Sequence, residues 1–169
     1  MDAAIRALVV AKEAGVKTIL NPAPASNLPD GMLALCDYVT PNETETETLT
    51  GVTVKSVDDA RIAAEVFLSM GVGAVVITLG ESGALFHSED QSMLVPAVNA
   101  GPVVETAGAG DAFNGGFATA LARGEDPVGA VRTGCATAGL SVTRTGTASS
   151  MPASREVKEL MERISSSNA

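Results

Sequence analysis

Aromatic and basic side chains are scarce in this chain of 169 residues. Aromatic residues make up 3% of it, with no Trp and one Tyr, and 11 Lys and Arg stand against 20 Asp and Glu, for a formal net charge of −9. Proteins that bind single strands stack bases on aromatic rings, and nucleic acids and anionic membranes both require local positive charge. No Lys/Arg cluster occurs in the sequence, which therefore predicts neither a nucleic-acid nor a membrane partner.

Cysteine and histidine are also rare. Cys36 and Cys135 lie far apart, and His87 is the only histidine, so neither a zinc site nor a disulfide framework is expected. A Ser-His-Asp hydrolase would have to use His87, but the segment 80–84 does not fit the nucleophile elbow. We interpret His87 as an ordinary strand residue.

Long apolar runs and targeting signals are missing as well. No apolar run reaches the roughly 18–20 residues needed to cross a bilayer. The first residues carry charges on both sides of a short apolar stretch, which is typical of an amphipathic helix and not of a signal peptide. The cytoplasm is the expected location.

What the chain does contain is an alternation of helix and strand patterns. Apolar residues make up 46% of it and charged residues 18%, so we expect a folded domain and not a disordered chain. Helices are predicted at 3–14, 29–35, from 41–45 onward, 56–70, 111–123, 127–143 and 154–164. Strands are predicted at 16–20, 37–40, 72–78, 84–87 and 93–98, the last two in an antiparallel part. This order predicts an α/β layer architecture with right-handed crossovers.

Loops with unusual residues follow several predicted strands. Ligands collect at the carboxyl ends of strands in open α/β sheets, so the loops at 21–25, 41–45, 78–83 and 105–111 are expected to line one crevice. The most informative segment is Gly108-Ala109-Gly110-Asp111, because small residues before a helix leave backbone N–H groups open to an anion. Asp111 could then accept a proton from a substrate hydroxyl. The alternative is an ordinary N-cap Asp after a glycine turn.

Two common phosphate-binding motifs are absent. The dinucleotide fingerprint needs Gly where Phe113 stands, and the P-loop needs Lys followed by Ser or Thr where Gly116-Phe117 stands. Asn42 and Glu45, three residues apart on a predicted helix, could hold hydrated Mg²⁺ with nucleotide phosphates. Taken alone, a group of acids such as Glu43, Glu45 and Glu47 at the start of a helix is more often a solvated cluster, favoured by the helix dipole, than a metal site.

Four segments in order carry a specific resemblance: Asn21-Pro22-Ala23-Pro24-Ala25, Thr40-Pro41-Asn42-Glu43-Thr44-Glu45, Ile77-Thr78-Leu79-Gly80, and Thr106 to Gly115. Together they resemble the ribokinase family of phosphofructokinase-B-type carbohydrate kinases. The resemblance extends over essentially the whole chain and matches the carboxyl-terminal part of that family. It implies a ribokinase-like three-layer α/β/α sandwich. Residues 1–169 would form its nucleotide-binding and catalytic part, without the amino-terminal half and lid.

The resemblance also implies an activity and a site. The activity is ATP-dependent phosphorylation of D-ribose at the 5-hydroxyl, with ATP and a pentose as partners and Mg²⁺ and K⁺ as cofactors. Asp111 would be the catalytic base, and the Gly108-Ala109-Gly110 turn, with the amides of Ala109, Gly110 and Asp111, would form the anion hole. Asn42 and Glu45 would organise Mg²⁺ and ATP phosphates, and Cys135 would lie beside the adenine. The nucleotide-binding turn would comprise Thr78, Leu79, Gly80, Glu81, Ser82 and Gly83.

The implied K⁺ site departs from the family pattern. It would use Glu105, Ala107, Ser141, Arg144, Gly146 and Ser150, largely through backbone carbonyls, but the family usually has Asp where this chain has Glu105. Two alternatives to a ribose kinase stay open. One is a catalytically silent nucleotide-binding or interaction fragment, and the other is a different sugar or nucleoside kinase of the same family. Exposed strand edges would favour aggregation or self-association, and a homodimer is the form of self-association that we expect.

Overall fold

The computed structural model describes residues 2–25 and 28–167 and has the alternating α/β order that the sequence predicts. The helices are α1 (Asp2–Glu13), α2 (Glu43–Thr50), α3 (Val57–Ser69), α4 (Ala109–Ala122), α5 (Pro127–Ser141) and α6 (Ser154–Ser167). The strands are β1 (Ile19–Leu20), β2 (Tyr38–Val39), β3 (Ala74–Thr78), β4 (Ala84–Ser88) and β5 (Ser92–Val95). Short 3-10 turns occur at Leu33–Leu35, Gly80–Ser82 and Ala148–Ser150.

The five strands form one sheet in the order β1-β2-β3-β4-β5. The first three strands run parallel, with Ile19 opposite Tyr38 and Tyr38 opposite Ala74. Val75, Val76 and Ile77 of β3 are fully buried, as expected for a central strand of a parallel sheet. Ser88 and Gln91 exchange backbone hydrogen bonds across the turn that joins β4 to β5, which confirms the predicted antiparallel hairpin.

Several predicted boundaries differ from those of the structure. The helix expected over 29–35 is only a 3-10 turn at Leu33–Leu35, and the strand expected over 16–20 comprises only Ile19–Leu20. The strand expected to reach Val98 ends at Val95, because Pro96 has no N–H with which to continue a ladder. The helix expected to begin at Asp111 begins at Ala109. Asp111 is therefore its third residue, and the N-cap interpretation of Asp111 is wrong.

The chain divides into two compact units. The first comprises the chain up to Gly80 together with Leu85–Leu94. Its core joins the sheet to α3 through fully buried side chains, of which Phe67, Val39 and Ile77 are among the largest. Ser56 caps α3 by accepting from the Asp59 amide at 3.1 Å, as the sequence predicts.

The second unit comprises Glu81–Ala84 and the chain from Val95 onward, and its centre is the α4–α5 helix pair. Asp126 caps α5 by accepting from the Gly129 amide at 3.0 Å, and Pro127 occupies the first turn. Small residues let the helices approach closely, because a Cβ added at Gly134 would lie 2.8 Å from the Phe113 ring. This packing confirms the predicted small-residue, tightly packed helix.

Candidate functional site

The start of α4 leaves two backbone amides unengaged. Its N-cap is Gly108, in a left-handed conformation with φ of 79°, and no side chain caps the helix. The Ala109 amide donates to the Thr106 carbonyl at 3.1 Å, and the Ala112 amide donates to the Gly108 carbonyl at 2.9 Å. Within the described part of the chain, the amides of Gly110 and Asp111 have no acceptor. Two of the three amides assigned to the anion hole therefore remain available for an anion.

Asp111 is exposed beside these amides. Among residues 2–25 and 28–167, no hydrogen bond or ion pair engages its carboxylate. A Cβ added at Gly110 would meet nothing within 4 Å, so the space next to the free amides is open. The helix dipole favours an anion at this position. An unpaired carboxylate and two free backbone amides thus lie in one helical turn.

Asn42 and Glu45 form a reciprocal cap at the start of α2. The Asn42 Oδ1 accepts from the Glu45 amide at 2.8 Å, and the Glu45 Oε2 accepts from the Asn42 amide at 2.9 Å. Glu45 is buried, so the interpretation of Glu45 as part of a solvated acid cluster is wrong. The capping box uses one oxygen of each side chain, which leaves Glu45 Oε1 and Asn42 Nδ2 outside it. Glu45 Oε1 is an oxygen of the type that Mg²⁺ or its bound water accepts, whereas Asn42 Nδ2 is a hydrogen-bond donor that suits a phosphate or a water and not the cation.

The segment assigned to nucleotide binding begins at Thr78, the last residue of β3. Thr78 forms a parallel bridge with Asn42, and its amide donates to the Pro41 carbonyl at 2.9 Å, so the structure brings Thr78 next to the capped start of α2. Leu79 is buried, whereas Glu81 and Ser82 are exposed in the 3-10 turn Gly80–Ser82. Gly83 has φ of 104°, and a Cβ there would lie 2.0 Å from the Val95 carbonyl oxygen. Only glycine fits this position.

Cys135 lies on the buried side of α5. Its side chain is almost completely inaccessible, and burial raises the pKa of its thiol to about 12. The thiol therefore stays protonated, and contact between Cys135 and an adenine ring remains a prediction.

Among the six residues assigned to K⁺, two pairs are bonded directly. Glu105 Oε2 accepts from the Gly146 amide at 2.7 Å, and the Ser141 carbonyl accepts from the Arg144 amide at 3.1 Å. The Arg144 guanidinium is paired with Glu156, and the Ser150 hydroxyl donates to the Thr147 carbonyl at 2.7 Å. Ala107 is exposed and makes no described bond of its own. The bond from the Gly146 amide thus engages one carboxylate oxygen of Glu105, which is one of the oxygens assigned to K⁺.

His87 is held on both sides of its ring. Its Nδ1 lies 3.0 Å from Ser92 Oγ, and its Nε2 lies 3.0 Å from Glu65 Oε1. His87 is buried in β4, which confirms that it is a strand residue, and the two partners show that it is fully satisfied. Sequence reasoning did not identify Glu65 and Ser92 as its partners, because they are 22 and 5 residues away and no spacing pattern links them.

Neither a conventional metal cluster nor a membrane span is found in the part of the chain that the structure describes. No group of three or more His, Cys, Asp or Glu side chains there could hold a metal ion. None of the helices there combines the length and the apolar character needed to cross a bilayer.

The sequence pattern of the pfkB family of carbohydrate kinases matches residues 2–154. The chain therefore belongs to this family, and the resemblance found in its sequence is confirmed. It is 44% identical over 153 residues to the ribokinase of Haemophilus influenzae, covering 90% of this chain and 50% of that protein. It is 40% identical over 164 residues to the deoxyribokinase of Salmonella typhi, covering 95% of this chain and 53% of that protein.

A solved structure confirms the fold class. The Arabidopsis thaliana ribokinase, in complex with ribose and ATP, superimposes with a TM-score of 0.91 at 30% identity, covering 95% of this chain and 52% of that one. The fold is therefore ribokinase-like, as the sequence resemblance implies. The chain spans about half the length of the curated relatives it matches.

Proposed function

We propose that this chain is the carboxyl-terminal, nucleotide-binding and phosphoryl-transfer part of an ATP-dependent kinase that phosphorylates D-ribose at its 5-hydroxyl. The observation that carries the proposal is the start of α4, where the unpaired Asp111 carboxylate stands beside two free amides. The relatives support the substrate class, since one is a ribokinase and another a deoxyribokinase. A cytoplasmic homodimer is part of the same proposal.

Asp111 acts as the general base in this mechanism. It accepts the proton of the sugar hydroxyl while the hydroxyl oxygen forms a bond to the γ-phosphorus of ATP. The bond between that phosphorus and the ADP oxygen breaks, so the products are ADP and the sugar phosphate. The amides of Gly110 and Asp111 donate to the phosphoryl oxygens, where negative charge develops.

Asn42 and Glu45 are the residues that would hold Mg²⁺ together with nucleotide phosphates. Bound Mg²⁺ supplies charge neutralisation for the polyphosphate. The capping box keeps both side chains in fixed positions, so few side-chain rotamers are lost when a ligand binds. K⁺ activation is not part of this proposal, because Glu105 is already bonded to the Gly146 amide.

The first test compares the chain with its Asp111→Asn variant. Isothermal titration calorimetry measures ATP binding, and ³¹P NMR detects the sugar phosphate formed from D-ribose, 2-deoxy-D-ribose or D-fructose. Because the chain spans about half of its relatives, a second protein is assayed in parallel. In it, the chain replaces the matching half of the H. influenzae ribokinase.

In the protein that combines this chain with the other half of the H. influenzae ribokinase, we expect phosphorylation of ribose. Asp111→Asn should lower its kcat by about 10²–10⁴-fold and change the Kd for ATP less than about twofold. The variant removes a proton acceptor and keeps the two amides. Near-normal turnover by the variant would contradict the assignment of the base. ATP binding without turnover of any sugar would favour the silent nucleotide-binding alternative, and preference for 2-deoxy-D-ribose would overturn ribose as substrate.

A further inference from the structure

The segment before α4 is bonded to the loop after α5 at three points. The amides of Val104 and Glu105 both donate to the Val142 carbonyl, at 2.8 and 3.2 Å. The Glu105 carboxylate then reaches the Gly146 amide at 2.7 Å. The first two bonds join backbone to backbone, whereas the third depends on the identity of one side chain.

The loop that Glu105 holds is ordered by its own hydrogen bonds. Gly146 has φ of 89°, a left-handed conformation that favours glycine. The Ser149 hydroxyl donates to the Thr145 carbonyl at 3.0 Å, and the Ser150 hydroxyl donates to the Thr147 carbonyl at 2.7 Å. These bonds restrain residues 145–150, and because Thr147 directly follows Gly146, holding Gly146 also restrains Thr147.

Thr147 lies against the start of α4. A Cβ added to Gly108 would be 3.3 Å from both the Cα and the Cβ of Thr147, so the loop packs on the N-cap residue itself. Gly108 precedes Gly110 and Asp111, whose amides are free. A continuous series of contacts thus runs from the Glu105 carboxylate through Gly146 and Thr147 to the helix start.

We propose that Glu105 is a positioning residue that fixes the anion-binding start of α4 by its direct bond to the Gly146 amide, and that this ordering needs no monovalent cation. The length of the side chain is decisive. An Asp at this position would end short of the Gly146 amide by about 1.5 Å, the length of one C–C bond, so it could reach the loop only through a water molecule or through a cation that carbonyl oxygens also bind. A carboxylate bonded to an amide is a charge-assisted hydrogen bond, which is stronger than a neutral one.

The ordering of the helix start belongs to the ligand-free chain, so it is tested without ATP or sugar. Amide hydrogen exchange of Gly146 and Ala112 is measured by ¹⁵N NMR, in potassium chloride and in choline chloride. Gly146 reports the bond to Glu105, and Ala112 reports the first bond of α4. The variants are Glu105→Ala, Glu105→Gln, which keeps the length and an acceptor oxygen, and Glu105→Asp. Glu89→Ala, at an exposed position in the β4–β5 turn, is the matched control.

In the wild type we expect equal protection of both amides in the two salts. Glu105→Ala should lower protection of Gly146 by about tenfold or more and that of Ala112 severalfold. Glu105→Gln should retain most of the protection of both amides. In choline chloride, Glu105→Asp should lose protection as Glu105→Ala does. The control Glu89→Ala should match the wild type. Protection that requires K⁺ in the wild type would overturn the inference, as would unchanged Ala112 exchange in Glu105→Ala.

The consequence for ligand binding rests on the proposed function and is measured separately. Glu105→Ala should raise the Kd for ATP severalfold, with rescue by Glu105→Gln and no K⁺ dependence in the wild type. If the wild type binds no ATP, the proposed function fails while the exchange measurements still decide the role of Glu105. If ATP binds equally well to wild type and Glu105→Ala, the positioning role is overturned while the proposed function stands.

Discussion

Asn42 combines a structural role with a proposed ligand role, and one substitution separates them. The capping box is seen directly, with both hydrogen bonds at 2.8–2.9 Å. The three-residue spacing in the sequence places Asn42 and Glu45 on one helical turn, and this much could be predicted. The same spacing serves a cap and a cation site equally well, so the sequence could not predict that Glu45 is buried against the backbone of Asn42.

Asn42→Ala removes the acceptor for the Glu45 amide, and we expect a loss of unfolding free energy of about 0.5–2 kcal/mol. Asn42→Asp keeps an oxygen at the cap and should restore most of that stability. In the proposed site, however, it places a negative charge near nucleotide phosphates and should weaken ATP binding. Urea denaturation and calorimetry measure the two effects. Wild-type ATP affinity in Asn42→Asp would remove Asn42 from the ligand-binding assignment and leave it as a cap alone.

At the scale of elements, prediction succeeded where a single pattern determines the outcome. The apolar run at 72–78 predicted a buried strand, and Gly124 and Asp126 marked the end of α4 and the start of α5. It failed where tertiary pairing sets the length of an element. Of the predicted strand 16–20, only Ile19 and Leu20 pair in register with β2, and the Thr18 carbonyl adds one bond from the Tyr38 amide. The predicted start of α4, at Asp111, lies two residues after the observed one. The reason is that Gly108 caps the helix with its backbone conformation and not with a side chain.

The α4–α5 interface provides a matched pair of glycines for a stability test. A Cβ at Gly116 would lie 2.3 Å from the Thr137 hydroxyl oxygen, whereas one at the neighbouring Gly115 would meet nothing within 4 Å. Gly116→Ala should therefore destabilise the chain by about 1–3 kcal/mol. Gly115→Ala should stabilise it by about 0.5–1 kcal/mol, because Ala is the better helix former. Urea denaturation of the two variants checks this, and equal effects would contradict the close packing of the two helices.

At the scale of the whole molecule, family and fold class could be predicted from four sequence segments, but the bonding around Glu105 could not. A resemblance transfers ligand assignments by position, whereas the added methylene of Glu105 changes which atoms it reaches. The Gly146 amide is 41 residues away, and only the folded loop brings it to the carboxylate. The contact between Thr147 and Gly108 could not be predicted either, because nothing in the Thr/Gly/Ser-rich sequence of that loop indicates a partner.

The chain carries a net charge of −9, and two of its carboxylates make stability dependent on pH. Hydrogen bonds from the Ser56 hydroxyl and the Lys55 amide hold the pKa of Asp59 below its usual range. The Arg144 guanidinium and the Ala153 amide do the same for the pKa of Glu156. A folded-state pKa below the unfolded value contributes stability above the unfolded pKa, and this contribution is lost as the pH falls through the folded pKa.

We therefore expect the urea midpoint to fall between pH 5 and pH 3, and to fall less steeply in the double variant Asp59→Asn with Glu156→Gln. The two residues are far apart in sequence and share no bonding partner. The effects of the two single variants on the urea midpoint should therefore add up to the effect of the double variant. Urea denaturation at pH 7, 5, 4 and 3 provides the measurement. Parallel curves for the wild type and the double variant would show that neither carboxylate contributes.

The bond between Glu105 and Gly146 closes a loop of chain that contains both α4 and α5. A disulfide at such a place would act mainly on the unfolded chain, by removing loop entropy that the reduced chain would otherwise have. A hydrogen bond breaks when the chain unfolds, so this closure leaves the entropy of the unfolded chain unchanged. Its effect is confined to the native state, where it restricts how far the open end of the helix pair can fray. Glu105 thus contributes to stability through the native state alone.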